Sequence, residues 1–210
     1  MANIAKFGAK VLLVSALASS AALAEGAFVG LEGGFNQRKA SLDSELSDTF
    51  SDPKDGAFEF GLKAGQDFGS FRVWGGYSYR TKASEDYSFA GPGGNIDVEM
   101  SWKSHNFLVG ADYTPSITES FKAVLGAYTG LAITKAEIKG NGKVLGYDFS
   151  ENGSETSAGA VVGVRLGGIY EIDKSNEIEF GVKSDYTKTG IDGIDKATSY
   201  GAYVGYNYKF

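Results

Sequence analysis

The stretch Tyr206-Asn207-Tyr208-Lys209-Phe210 places an aromatic residue at every second position, and its reading decides the fold. Upstream, the alternation continues through Val204, Ala202 and Tyr200. Side chains on a β-strand point alternately to opposite faces, so a period of two gives one apolar face and one wetter face. The stretch is expected to be a strand with lipid on one side, ending in aromatic residues at a membrane interface.

The opposite end of the chain is read as an export signal. Lys6 and Lys10 precede an apolar run from Val11 to Ala18, and Ala22-Leu23-Ala24 forms a small-residue cleavage site before Glu25. A membrane helix needs about 20 apolar residues, and this run is too short. Residues 1–24 are therefore expected to be a cleaved signal peptide, leaving residues 25–210 as one domain.

Without the two leader lysines, 18 basic side chains stand against 26 acidic ones, a net charge of −8. Such a balance excludes nucleic acid as a partner, since phosphate backbones need a basic footprint. Cysteine is absent, so an exported domain must gain stability without disulfides. Glycine is abundant, yet the glycines lie inside alternating segments rich in aromatics, which argues against disorder.

Eight segments alternate: about 26–36, 56–66, 70–81, 98–113, 121–136, 157–170, 176–187 and 197–210. Their apolar rows carry no charge, as in Phe58-Phe60-Leu62-Ala64 or Val162-Val164-Leu166. Their other rows hold charges and many glycines, among them Gly61, Gly126, Gly163 and Gly205. Small residues on the charged row suit a crowded lumen better than a solvated surface. Aromatics bound the apolar rows at both ends: Phe71, Tyr113, Phe121, Tyr170 and Phe210 below, and Phe35, Phe58, Tyr79, Tyr186 and Tyr200 above. Short connections at 67–70, 114–120 and 171–175 alternate with longer polar ones at 37–55, 82–97, 137–156 and 188–196. Two girdles, with short turns on one side and long loops on the other, predict an all-β fold: an eight-stranded antiparallel up-and-down transmembrane barrel. Closure is required, because an open edge in hydrocarbon leaves backbone groups unsatisfied at several kcal/mol each.

The chain thus resembles the small bacterial outer-membrane barrels of the opacity-protein and OmpX type, and the membrane domain of OmpA. The resemblance spans residues 25–210 at the level of architecture. It implies a Gram-negative outer-membrane location and contact with outer-membrane lipid and lipopolysaccharide. It also implies that the barrel-assembly machinery recognises Tyr206, Tyr208 and Phe210. With Phe210 last, the peptidoglycan-binding domain of full-length OmpA is not expected.

The predicted lumen row holds Glu32, Glu59, Lys63, Arg72, Arg80, Asp112, Lys122, Arg165, Glu177, Glu179, Lys183, Asp185 and Lys209. Eight strands enclose a space that side chains can fill, and buried charges must be paired. A structural ion-pair network is the first expectation, and a narrow ion path lined by the same residues the second. No enzyme is expected. The sole histidine, His105, falls on the lipid-facing row beside Phe107, and Ser104 next to it faces the other way. One histidine and no cysteine supply no transition-metal site, and no cofactor is expected. Gly140-Asn141-Gly142-Lys143 lacks the spacing of a phosphate loop and reads as a turn. The first long connection is acidic (Asp43, Glu45, Asp48, Asp52, Asp55) without a calcium-loop spacing. Tyr87 and Phe89, and Tyr147 and Phe149, are candidate contacts to a host or surface ligand, or else strand extensions above the membrane. The expected function is a structural or adhesin-like surface protein acting through four loops, with a small porin or carrier as the alternative.

Overall fold

Alternation becomes pairing in a computed structural model, which describes residues 25–42, 54–91, 94–144, 147–191 and 194–210. The proposed signal peptide lies outside the described residues, as do Asp43, Glu45, Asp48 and Asp52 of the acidic connection. The strands are β1 (Ala27–Leu42), β2 (Lys54–Asp67), β3 (Phe71–Gly91), β4 (Gly94–Tyr113), β5 (Phe121–Val144), β6 (Tyr147–Glu171), β7 (Asn176–Ile191) and β8 (Ile194–Lys209). Each is antiparallel to its neighbour in sequence, and β8 returns to β1 with Lys209 opposite Phe28 and Tyr200 opposite Gln37. Phe210 completes the seam by donating its N–H to the Ala27 carbonyl at 2.9 Å. The fold is an eight-stranded antiparallel transmembrane barrel with no sheet edge.

Outward rows carry the apolar side chains. Leu31, Phe60, Leu62, Val109, Leu125, Leu131, Val164 and Val204 are each more than half exposed. A soluble monomer rarely shows an apolar patch beyond a few hundred Å². This one encircles the molecule, and hydrocarbon is the solvent that suits it. Aromatic contacts border the band, with Phe71 on Tyr113 (5.1 Å between ring centres) below and Phe35 on Phe58 (5.4 Å) above.

The turns at the lower rim are tight. At 68–70, Asp67 Oδ1 accepts the Gly69 N–H at 2.7 Å, and Gly69 takes a φ of 87° that disfavours other residues. At 172–175, Asp173 Oδ1 accepts the N–H groups of Ser175 (2.8 Å) and Asn176 (2.9 Å). These bonds hold the Asp173 carboxyl below the usual carboxylate range.

At the upper rim the structure departs from the sequence reading. Most described residues of the expected long loops are paired strand: 37–42 and 54–55, 82–91 and 94–97, 137–144 and 147–156, 188–191 and 194–196. Past Ile133, β5 continues for roughly 35 Å of chain at strand rise. Both faces of such a projection meet water, so hydrogen-bonded pairing continues with no apolar period to mark it. Tyr87, Phe89, Tyr147 and Phe149 accordingly lie in strands, not loops. The β3–β4 register also shifts between Arg80 and Ala83, where β3 holds one extra residue. Beyond the bulge Ala83 pairs with Trp102 and Tyr87 with Val98, so Tyr87 joins the lumen-side row instead of following Tyr79 outward.

Candidate functional site: the charge-filled lumen

Glycines make room for the lumen contents. A Cβ on Gly110 would strike the Trp74 indole, and one on Gly163 would strike the Tyr128 ring. Those two rings lie 6.1 Å apart and, with Phe28, form an apolar cluster in the interior. Val124, Val161 and Ile169 are also buried on the inward rows, and they are outnumbered by charged and hydrogen-bonding side chains.

The charges stack in three levels. At the bottom, Arg72 reaches Asp67 (2.6 Å) and Glu177 (2.8 Å) and lies over the Phe28 ring. Beside it, Lys209 pairs with Glu171 (3.0 Å) and Glu177 (2.8 Å), and Lys122 pairs with Glu171 (3.0 Å). In the middle, Arg165 is sandwiched between the Trp74 and Tyr203 rings, touches Glu179 and lies 3.2 Å from Asp112. Lys63 meets Glu179 at 2.7 Å, and Asn207 donates to the same carboxylate at 3.0 Å. Lys183 links this level upward, bonding Glu32 and reaching Glu59 at 3.0 Å. At the top, Arg80 donates to Glu59 (2.8 Å) and to both oxygens of Asp185. Asn36 donates to Glu59 at 2.9 Å, and the Tyr128 hydroxyl donates to Asp185 at 3.0 Å.

All thirteen charges assigned to the lumen row are buried or half-buried there. Three more join them. The sequence pattern puts Asp67 and Glu171 in turns and Arg38, which lies over the Trp102 ring, in a loop. Strand parity marks all three, since each continues the inward row of its strand by two residues or more. With them, eight acids face eight bases between the lower rim and Arg38. Between them lies a cavity of about 30 Å³ lined by Glu32, Glu59, Lys63, Trp74, Arg165 and Lys183 among others, space for about two waters. Among the described residues, no group of three or more His, Asp or Glu side chains could hold a metal ion.

His105 lies on the outer face. Its Nδ1 is 2.7 Å from the Tyr77 hydroxyl and its ring is 5.0 Å from that of Tyr79, so it forms part of the upper girdle. Ser104 is buried on the other side of the wall. The two therefore do not form a nucleophile–base pair.

This architecture defines a class: a small transmembrane barrel whose lumen is occupied by its own ion pairs. No family model matches the chain, and no curated protein matches it in sequence. Among solved structures, it is similar to Neisserial surface protein A, with 19% identity and a TM-score of 0.54 over 89% of this chain and 98% of that one. It is also similar to Ail, the attachment invasion locus protein of Yersinia pestis, with 18% identity and a TM-score of 0.50 over 89% of this chain and all of that one. At these identities the likeness establishes the fold of the small outer-membrane barrels.

Proposed function

We propose that this chain is an exported, non-conducting barrel of the Gram-negative outer membrane that holds projecting β-hairpins at the cell surface for contact with a partner. The observation that carries the reading is the lumen: ion pairs among eight acids and eight bases span the bore. A hydrated ion needs a continuous wet path, and the Arg80–Glu59–Lys183 and Arg165–Glu179–Lys63 pairings lie across it. A small porin or carrier is the competing reading, and the 30 Å³ void is what favours it. A rigid scaffold carrying variable projections is a common arrangement for recognition, because the scaffold is generic and the exposed segments are free to differ. The names of the similar structures, a surface protein and an attachment protein, agree with a surface-contact role.

The test is to shorten the longest projection. In β5–β6, Lys139 is opposite Asn152, so residues 140–151 can be replaced by Asn-Gly without changing the register below. The trimmed barrel should keep its heat-dependent gel shift, and cells carrying it should attach less to matrix-coated surfaces than cells with the full chain. Unchanged attachment after each of the four projections is trimmed in turn would overturn the contact role.

A further inference from the structure

Above the upper girdle the wall divides. Pairing of β2 with β3 ends at Glu59 and Arg80, and pairing of β6 with β7 ends at Val161 and Thr187. Strands β3 to β6 stay paired beyond those points, as far as Gly91 with Gly94, Gly94 with Val144 and Val144 with Tyr147. They form a four-stranded sheet above the membrane, one face continuing the lumen rows and the other the lipid rows.

The two faces differ in kind. Charges on the outer row neutralise one another: Glu99 meets Lys82 at 2.5 Å and Lys139 at 3.4 Å, and Lys135 meets Glu137 at 2.6 Å. The inner row is apolar at its centre. β4 is the exception to the loss of period above the lipid, with Val98, Met100 and Trp102 at alternate positions. Tyr87 stands opposite Val98, and Ile138 stands opposite Met100 and is 48% exposed. Beside this patch on β6, Glu155 is opposite Ala136 and Glu151 opposite Gly140, both exposed. Neither carboxylate has an ion pair among the described residues. No lysine or arginine holds an inner-row position of β3 to β6 above Arg80 among them.

We propose that this inner face is a docking surface for a basic amphipathic peptide segment. Its apolar side chains would cover Val98, Met100 and Ile138, and its lysine or arginine side chains would pair with Glu151 and Glu155. The proposal rests on the surface-contact reading and says where on the projections, and by what chemistry, the contact is made. Apolar side chains left facing water mark a contact surface, and acids flanking them select a partner of opposite charge. Lipid is the wrong occupant, because the face looks over the bore and not towards the bilayer. A second copy of this acidic chain would set carboxylate against carboxylate.

The experiment uses the full barrel in zwitterionic nanodiscs, with its methyl groups carbon-13 labelled. Met100 is the one methionine between Glu25 and Phe210, so its signal assigns itself. The probe is a peptide of leucine and lysine arranged as an amphipathic helix and carrying a nitroxide. A peptide with glutamate in place of lysine is the control. The nitroxide should broaden Met100, Val98 and Ile138 at concentrations that leave the lipid-facing Leu131 sharp. The glutamate peptide should broaden none of them, and added salt should weaken the lysine peptide's effect. E151Q/E155Q should weaken binding by about threefold to tenfold, since an exposed ion pair is worth up to about fivefold. I138N should weaken it by about fivefold through lost apolar contact. Leu131 broadening together with Met100, which marks a peptide lying on the bilayer, would overturn the proposal. So would equal binding of the two peptides, binding unchanged in both variants, or broadening by a spin-labelled second copy of the barrel alone. If cells attach less when the β5–β6 projection is trimmed but attach fully with E151Q/E155Q and with I138N, the contact role stands and the inner face is refuted.

Discussion

Arg80 holds together two carboxylates from different strands, and its removal has consequences that can be worked out. In Arg80→Met, Glu59 keeps Lys183 at 3.0 Å and Asn36 at 2.9 Å. Asp185 loses both of its guanidinium bonds and keeps the Tyr128 hydroxyl at 3.0 Å. One buried carboxylate is thus left without a cation in contact with it. Breaking a buried pair in this way costs about 3–5 kcal/mol, most of it the penalty of the stranded charge. Removing that charge as well, in R80M/D185L, should bring stability back to within about 2 kcal/mol of the parent, because Glu59 stays compensated and only the neutral Tyr128 hydroxyl loses its acceptor. Equilibrium urea unfolding of the reconstituted barrel, followed by the fluorescence of Trp74 and Trp102, measures both variants. With a slope of about 2 kcal/mol per molar urea, the single variant should lose about 1.5–2.5 M in midpoint and the double variant about 1 M or less. If R80M lies within about 1 kcal/mol of the parent, or if R80M/D185L is no better than R80M, the ion pairs do not hold the lumen as described.

Other variants test other levels of the structure. Leu125→Arg places a charge in the apolar band opposite Leu166 and should reduce stability by about 2–4 kcal/mol, read as a lower urea midpoint in vesicles. Gly163→Val puts methyl groups where the Tyr128 ring lies, and overpacking of that kind costs about 1–3 kcal/mol, visible as a lower gel-shift temperature. Phe210→Ser leaves every lumen pair intact, so refolding of the purified chain should proceed while the amount reaching the outer membrane in cells falls several-fold.

Legibility tracks the hydrophobic period. Where one face meets lipid and the other meets packed charge, as from Phe121 to Ile133, alternation assigns every residue to a face, and the closing pairing of β8 on β1 follows from the even strand count. The period stops where lipid stops. Residues 137–144 and 147–156 are rich in Lys, Glu, Ser and Gly, and composition alone reads them as loop although their backbones are paired. Arg38 was missed for the same reason, since it lies two residues past Asn36 in a stretch that no longer alternates visibly. Tyr87 shows a different limit. A one-residue bulge between Arg80 and Ala83 moves it to the opposite row, and nothing local to Tyr87 announces this. Partners within the lumen were the least legible feature. Alternation places Glu179 and Lys63 on inward rows, but their 2.7 Å contact joins β7 to β2 across the bore and depends on barrel diameter and strand stagger.

The filled bore is the claim on which the proposed function depends, and single-channel recording in planar bilayers tests it most directly. With the purified, folded barrel inserted and symmetric potassium chloride on both sides, the current should stay at the level of the bare membrane across the voltage range. Steady, ohmic steps in the parent protein that change size when Glu59→Gln or Lys183→Gln is substituted would mean that ions pass along the paired charges, and would contradict the account.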